Sequence, residues 1–507
     1  MTSVAIVLFL ALQASEPLQH VAVRDPRTQP LTREDALFVI PGVTGPVRLV
    51  EDMNGDGKPD LIAECGGHAW FVKEEETPKR IDAVSALDGR VIRTLWTASE
   101  NGATGLCWDT GGDIDRDGIP DLLVGLPFED GIVEDGGSVL LISGASGIVV
   151  REVRGQEAQE HLGFGVAFLG DLNLDGSDDY VVSAPGSNPY SLGAALAETT
   201  GDSSLRIGNE TRHFVHLADG SRMPRREFWN RSMAARSSKP GTVSAHSGSS
   251  GKELWRRVGS RPGHAFGFQV RAVGDLALDG ARDLVITSGP HSGALPEIVS
   301  GLTGTRLAEF DAAGDRVGST GDLDGDRVQE LFVERMSDTR YFNGIISIYS
   351  FAEDKTLFEL KGPDWFSKYS RTVSLGDIDG DGVPDFMLGE PDFHIRGLGD
   401  PGLPLAEDIP DLRTLTLADA LALETGPWCA MTWESGTAWV YSGRTREVIL
   451  GAWGAPGSRD GMGIHGTAIP DLTSDGCPEL LIVGSNAAYV FPGPGAVPLG
   501  SSETAGD

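Results

Sequence analysis

Residues 164–185 read FGVAFLGDLNLDGSDDYVVSAP. A short apolar run, Val166 to Leu169, leads into an acidic loop. Oxygen-bearing side chains fall at alternate positions of that loop, Asp171, Asn173 and Asp175; Gly176 follows and Asp179 closes it. A second apolar run, Tyr180 to Ser183, carries the chain away. Both runs are brief, β-rich and bounded by Gly or Pro, so the segment predicts strand, loop, strand. The alternating oxygens predict a metal ion inside the loop.

The unit occurs seven times along the 507 residues. Its copies are DMNGDGKPD from Asp52, DIDRDGIPD from Asp113, DLNLDGSDD from Asp171, DLALDGARD from Asp275, DLDGDRVQE from Asp322, DIDGDGVPD from Asp377 and DLTSDGCPE from Asp471. The steps between first residues are 61, 58, 104, 47, 55 and 94. The two long steps each contain an insertion, at about residues 186–240 and 393–431; without them the period is roughly 50 residues. Such a period signals a propeller or another repeat architecture.

An apolar run follows every loop, from DLIAE at Asp60 to ELLIVGS at Glu479. A third run comes later in each unit, as in GSVLLISG (Gly137 to Gly144) and GTAWVYSG (Gly436 to Gly443), often closed by Ser-Gly. A fourth run follows that turn, such as Ile148 to Val153. Four short strands per unit make one antiparallel blade, so the expected fold is all-β, a seven-bladed propeller spanning residues 20–493. The last unit lacks a fourth strand, and an unpaired edge is a liability. The run Ala36 to Ile40, which precedes the first unit without a partner, is expected to pair there and close the ring.

These units resemble FG-GAP repeats, the building blocks of the integrin α-subunit propeller. The resemblance rests on Phe164-Gly165 and Phe266-Gly267 before the loops, and on altered Gly-Ala-Pro pieces after them: Ser183-Ala184-Pro185, Gly125-Leu126-Pro127 and Gly389-Glu390-Pro391. It covers about Val47 to Phe491, although the first, fifth and seventh units lack a good Phe-Gly pair. It implies a calcium-stabilised extracellular propeller whose partners meet the face opposite the acidic loops.

Calcium takes several oxygen ligands and tolerates flexible geometry. In the second copy Asp113, Asp115 and Asp117 supply three, the carbonyl of Ile119 a fourth, and Asp121 closes the cage. The equivalent sets are Asp52, Asn54, Asp56, Lys58 and Asp60; Asp171, Asn173, Asp175, Ser177 and Asp179; and Asp377, Asp379, Asp381, Val383 and Asp385. Lys58, Ser177 and Val383 enter through their backbone carbonyls. The fifth copy keeps Asp322, Asp324, Asp326 and Glu330 but places Arg327 where glycine belongs. The fourth loses a ligand at Ala277, and the seventh has Thr473 and Glu479. About four calcium sites are expected, with the fifth copy next in line. An EF-hand or dockerin-like loop needs flanking helices, and these loops run into strands.

The net charge of −33 disfavours nucleic acid, whose phosphates it would repel. Residues 1–14, with the apolar run Val4 to Leu12, match a secretory signal, although no Lys or Arg precedes that run. No stretch is long and apolar enough for a transmembrane helix. Residues 494–507 are expected to form a flexible tail. Secretion, or a cell-surface or periplasmic location, follows as the expectation. An exported chain permits disulfides; Cys65 with Cys107 and Cys429 with Cys477 are the local pairings, and free thiols are the alternative.

Both insertions fall between the second and third strands of their blades. They are therefore expected on the face away from the acidic loops, on opposite sides of the ring. Loops on a rigid scaffold commonly carry binding. Arg222, Arg225, Arg226, Trp229 and Arg231 of the first insertion form a basic aromatic group suited to an acidic polysaccharide or a protein carboxylate, or to the chain's own acids. Leu412 to Glu424 of the second reads as a short amphipathic helix. No His-Glu-x-x-His and no Gly-x-Ser-x-Gly elbow is present. The expected function is an adhesive or ligand-binding scaffold for an extracellular protein or polysaccharide. The alternative is a calcium-dependent polysaccharide lyase, with His213, His216 and Tyr190 beside the arginines of the first insertion.

Overall fold

The computed structural model describes residues 31–494, apart from 67–77, 99–105, 131, 187–198, 208–209, 218–221, 225–239, 290–291, 293, 310–315, 337–343, 362–370, 391–435, 455–459, 473 and 475. The signal and tail segments, the candidate helix at Leu412 to Glu424, and Arg225, Arg226, Trp229 and Arg231 lie outside the described residues. So does Cys429, and with it the expected bond to Cys477.

Seven antiparallel sheets follow one another along the chain as seven blades. Blade 1 is typical, with strands Val43–Val50, Asp60–Cys65, Arg80–Ser85 and Val91–Thr97 hydrogen-bonded in chain order. The first strands of all seven blades surround one central cavity. Fourth strands form the rim, and those of blades 2 and 3 alternate exposed with half-buried residues.

The second strands carry the core. Asp60–Cys65, Asp121–Leu126 and Asp179–Ala184 are buried almost throughout, because each blade is sandwiched between two others. Successive side chains point to opposite faces of a strand, so one strand feeds two cores. Leu61 and Ala63 pack toward blade 7, while Ile62 packs toward blade 2. Seven apolar clusters result, one at each interface between blades. This double burial is why these runs read as continuously apolar.

Phe38–Pro41 pairs antiparallel with Ala487–Phe491 as the outer strand of blade 7, and closes the ring as expected. A second, unexpected strand precedes it. Leu31–Thr32 adds in parallel to Val448–Trp453, giving blade 6 a fifth strand, and Leu31 is fully buried. A single 3-10 turn, Arg33–Asp35, joins the two, capped by the Asp35 carboxylate on the Thr32 backbone N–H at 2.8 Å.

Both insertions connect second to third strands, in blades 3 and 6. The first is more than a loop: Thr199–Ile207, Glu210–Leu217 and Arg222–Pro224 form a separate three-stranded antiparallel sheet. Arg222 lies on its last strand, opposite His216. For one cysteine pair the alternatives left open by the sequence are decided. Cys65 and Cys107 are both free thiols, one ending the second strand of blade 1 and the other opening the first strand of blade 2. Burial pushes the Cys65 thiol up to about 12 and raises that of Cys107 as well, so neither is poised to ionise. Among the described residues no helix is long and apolar enough to cross a membrane.

Candidate metal centres

Each acidic loop joins the first strand of a blade to its second, and all seven share one internal design. The first aspartate folds back and accepts backbone N–H groups from its own loop. Asp52 accepts from Gly55 and Gly57, both at 2.6 Å, and Asp377 from Gly380 and Gly382, both at 2.8 Å. Those bonds hold the Asp52 carboxyl below its usual range, the one from Gly57 being the largest cause.

The turn passes through the left-handed region twice. The sixth loop position has φ of 81° at Gly118, 87° at Gly176 and 87° at Gly382, and Arg327 adopts the same conformation at 77°. The fourth position does so as well, with Arg116 at 66°, Leu174 at 59° and Ser474 at 64°. The sequence marks the sixth position by glycine in six copies and the fourth in only three, at Gly55, Gly325 and Gly380, with φ of 82°, 85° and 78°.

The ninth residue is an acid that opens the second strand, or in the fourth copy immediately precedes it, and it is buried in every copy. One of its oxygens accepts the backbone N–H of the second or third loop residue, as from Met53 to Asp60 at 2.8 Å and from Ile114 to Asp121 at 2.7 Å. In four blades the other oxygen accepts the N–H of the glycine in the Ser-Gly pair that ends the third strand. Gly144 serves Asp121 at 2.8 Å, Gly248 serves Asp179 at 3.0 Å, Gly301 serves Asp283 at 3.1 Å and Gly443 serves Asp385 at 3.0 Å. A Cβ on Gly144 would lie 1.9 Å from the carbonyl oxygen of Pro120, so only glycine brings that N–H close enough. The Ser-Gly tag is therefore part of the loop's support as well as a turn.

Among the described residues, three copies converge acids most tightly. Asp113, Asp115 and Asp121 each place a carboxylate oxygen within 4.8 Å of the others; so do Asp322, Asp324 and Glu330, and Asp377, Asp379 and Asp385. Burial, reinforced by the neighbouring charges, pushes Asp121 and Asp385 up to about 6 and Glu330 up to about 7. In blade 5 the third strand ends in Ser350 and then Phe351, with no Ser-Gly pair. There Glu330 Oε1 is buried without a hydrogen-bond partner among the described residues. A cluster of hard oxygens with an orphaned buried oxygen fits a divalent cation of the calcium class.

Blades 1 and 3 have an amide at the third position. The Asn54 side chain donates to Asp60 Oδ1 at 3.2 Å, and that of Asn173 to Asp179 Oδ1 at 3.1 Å; an amide turned about would present its oxygen instead. The fifth-position acids stand outside the three tight clusters. Asp117 and Asp326 accept the N–H groups of Ile119 and Val328, and Asp56 that of Lys58. Asp175 also takes the Arg116 guanidinium of the neighbouring blade at 3.2 Å, and Asp381 takes Arg444 at 3.1 Å. Ser177 and Val383 each donate a backbone N–H to the fifth-position acid of their own loop. In the fourth copy, with Ala277, the turn is unchanged: Asp275 still accepts from Asp279 at 2.9 Å and Gly280 at 2.7 Å.

No family profile matches the sequence. Over 134 residues, 25% of the chain, it is 31% identical to integrin alpha-7 of Homo sapiens, and to the same extent to integrin alpha-7 of Mus musculus. The matched stretch is 11% of the length of those relatives. The seven blades and their acidic loops, together with this similarity, fit an integrin-α-like propeller scaffold.

Proposed function

We propose that this propeller is a secreted, calcium-stabilised binding module that holds an extracellular protein or polysaccharide and performs no catalysis. The observation that carries the proposal is the convergence of three acidic triads, each with its oxygens within 4.8 Å, in an integrin-α-like ring. Asp113, Asp115 and Asp121, the fifth-copy triad with Glu330, and Asp377, Asp379 and Asp385 would hold the ions. A bound divalent cation offsets the repulsion among carboxylates that share so small a volume. The chain's own contribution is positional. Backbone N–H groups fix the first and ninth acids, and the turn through the left-handed region aims the third at them.

The partner would meet the opposite face, where the insertions leave blades 3 and 6. A calorimetric calcium titration of chelated protein tests the metal half of the proposal. At least three binding events, one for each triad, with a rise in thermal midpoint are expected; no heat and no rise would refute it. Incubation with acidic polysaccharides, read by the absorbance of unsaturated products, tests the other half. Turnover that disappears in an Arg225→Ala, Arg226→Ala double variant would replace the binding module with a lyase.

A further inference from the structure

The central cavity, about 660 Å³ in volume, has a charge opposite to that of the molecule around it. Five cationic side chains line it, Arg48, Lys79, Arg271, Arg282 and Arg316, against the two carboxylates of Glu64 and Asp109. This occurs in a chain whose net charge is −33. Two of the cations are matched. Lys79 pairs with Glu64 at 2.8 Å, and Arg316 faces Glu334 at 3.9 Å. The other three have no ion pair among the described residues. Arg48 donates to the Val47 carbonyl at 3.2 Å and to His465 Nε2 at 2.8 Å. Arg282 reaches only the carbonyls of Val273 and Phe168, at 3.5 and 3.4 Å. Arg271 projects into the cavity and remains exposed there.

Their placement follows from the repeat. Arg48 and Arg271 each lie four residues before an acidic loop, and hence on one tier of the channel, on blades 1 and 4. Asp109 occupies that tier in blade 2 and is already engaged by the Phe168 N–H at 2.9 Å. The remaining blades put Ala167, Gly318, Val373 and Thr467 there, none of them charged. Burial draws Arg48 below its usual range; Arg271 and Arg282 lower it further, while Asp109 opposes them. Three guanidiniums held near one another without enough carboxylates repel, and an oxyanion between them relieves that cost while accepting charge-assisted hydrogen bonds.

We propose that the axial channel is an oxyanion-binding site, held by Arg48, Arg271 and Arg282 and sized for a small ligand. The occupant is a sulfate-like or carboxylate-bearing group; free inorganic anions and acidic sugars share that chemistry. Arg48 and Arg271 lie outside the acidic loops, whereas Arg282 belongs to the fourth, the copy with alanine at its third position. It is tested by calorimetric titration of the full chain with sodium sulfate and, separately, with sodium galacturonate, at constant ionic strength. Saturable one-site binding of either supports the site, and the one that binds more tightly identifies the source. Arg271→Gln should weaken that binding about tenfold or more. Because Arg271 is exposed within the cavity and its removal relieves repulsion with Arg48, the midpoint of the variant without the anion should equal or exceed that of the parent. Thr467→Asp, which adds a carboxylate to the same tier, should also weaken binding, while Asp109→Asn should tighten it. Absence of binding by both probes, or equal binding by the parent and Arg271→Gln, would overturn the proposal.

Discussion

Arg327 stands at φ 77° where the other copies have glycine, so one residue reports what the loop demands of its backbone. The left-handed conformation costs an L-residue about 1–2 kcal/mol, partly offset by the extra chain entropy that glycine loses on folding, about 0.5–1 kcal/mol. Arg327→Gly should therefore stabilise the protein by about 0.5 kcal/mol, and Gly118→Ala should destabilise it by about 1 kcal/mol. The space around Gly118 is open, so strain alone acts there. Gly144→Ala adds a collision with the Pro120 carbonyl and should cost more, at least about 2 kcal/mol. Denaturant unfolding of the three variants checks the order. Glu330 supplies a pH signature. Its native carboxyl titrates at about 7, above its unfolded value of about 4.3. Between those values the native state holds more protons than the unfolded state, so stability is lost as pH rises through the window. Metal-free protein should melt at a lower temperature at pH 8 than at pH 5, and Glu330→Gln should flatten that dependence. An equally steep dependence in the variant would assign it to other acids.

At the scale of the strand, ring closure can be tested most directly. Removing residues 1–41 opens blade 7 and takes away Ile40 and Leu31, both buried. Each such side chain contributes about 1.5–3 kcal/mol on burial, so the truncated chain should melt well below the parent, as read by circular dichroism. Leu31→Ala alone should cost about 2–4 kcal/mol. An unchanged melt in the truncation would refute closure by Phe38–Pro41. The closing strand was legible in the sequence because Ala36 to Ile40 is apolar enough to register and the last unit visibly lacks a partner. Leu31–Thr32 was not, since two residues carry no periodicity. The Ser-Gly tag was legible as a turn, but its bond to the ninth acid joins positions such as Asp121 and Gly144, which meet only across the sheet. The channel arginines escaped for a similar reason. Each is a lone residue in its own repeat, and only closure of the ring brings Arg48 near Arg271.

On the scale of the whole molecule, all seven acidic loops emerge at the same end of their blades, so the protein concentrates negative charge on one face. The seven inter-blade cores hold that face together against its own repulsion. Two states with opposite preferences follow. Without metal, removing an acid from a tight cluster relieves repulsion; with metal, the same change removes a ligand. The fourth loop shows that the turn tolerates alanine at the third position, because Ala277 sits within unchanged backbone bonding. A triple variant, Asp115→Ala, Asp324→Ala and Asp379→Ala, should therefore fold and retain its blades. In chelator its thermal midpoint should equal or exceed that of the parent. In millimolar calcium the order should reverse, because the parent gains stability in proportion to the logarithm of calcium over its dissociation constant and the variant loses its share of that gain. Midpoints measured by calorimetry in both conditions decide the matter. If the variant is the less stable protein by the same margin with and without calcium, the acids act through their hydrogen bonds alone and the metal role fails.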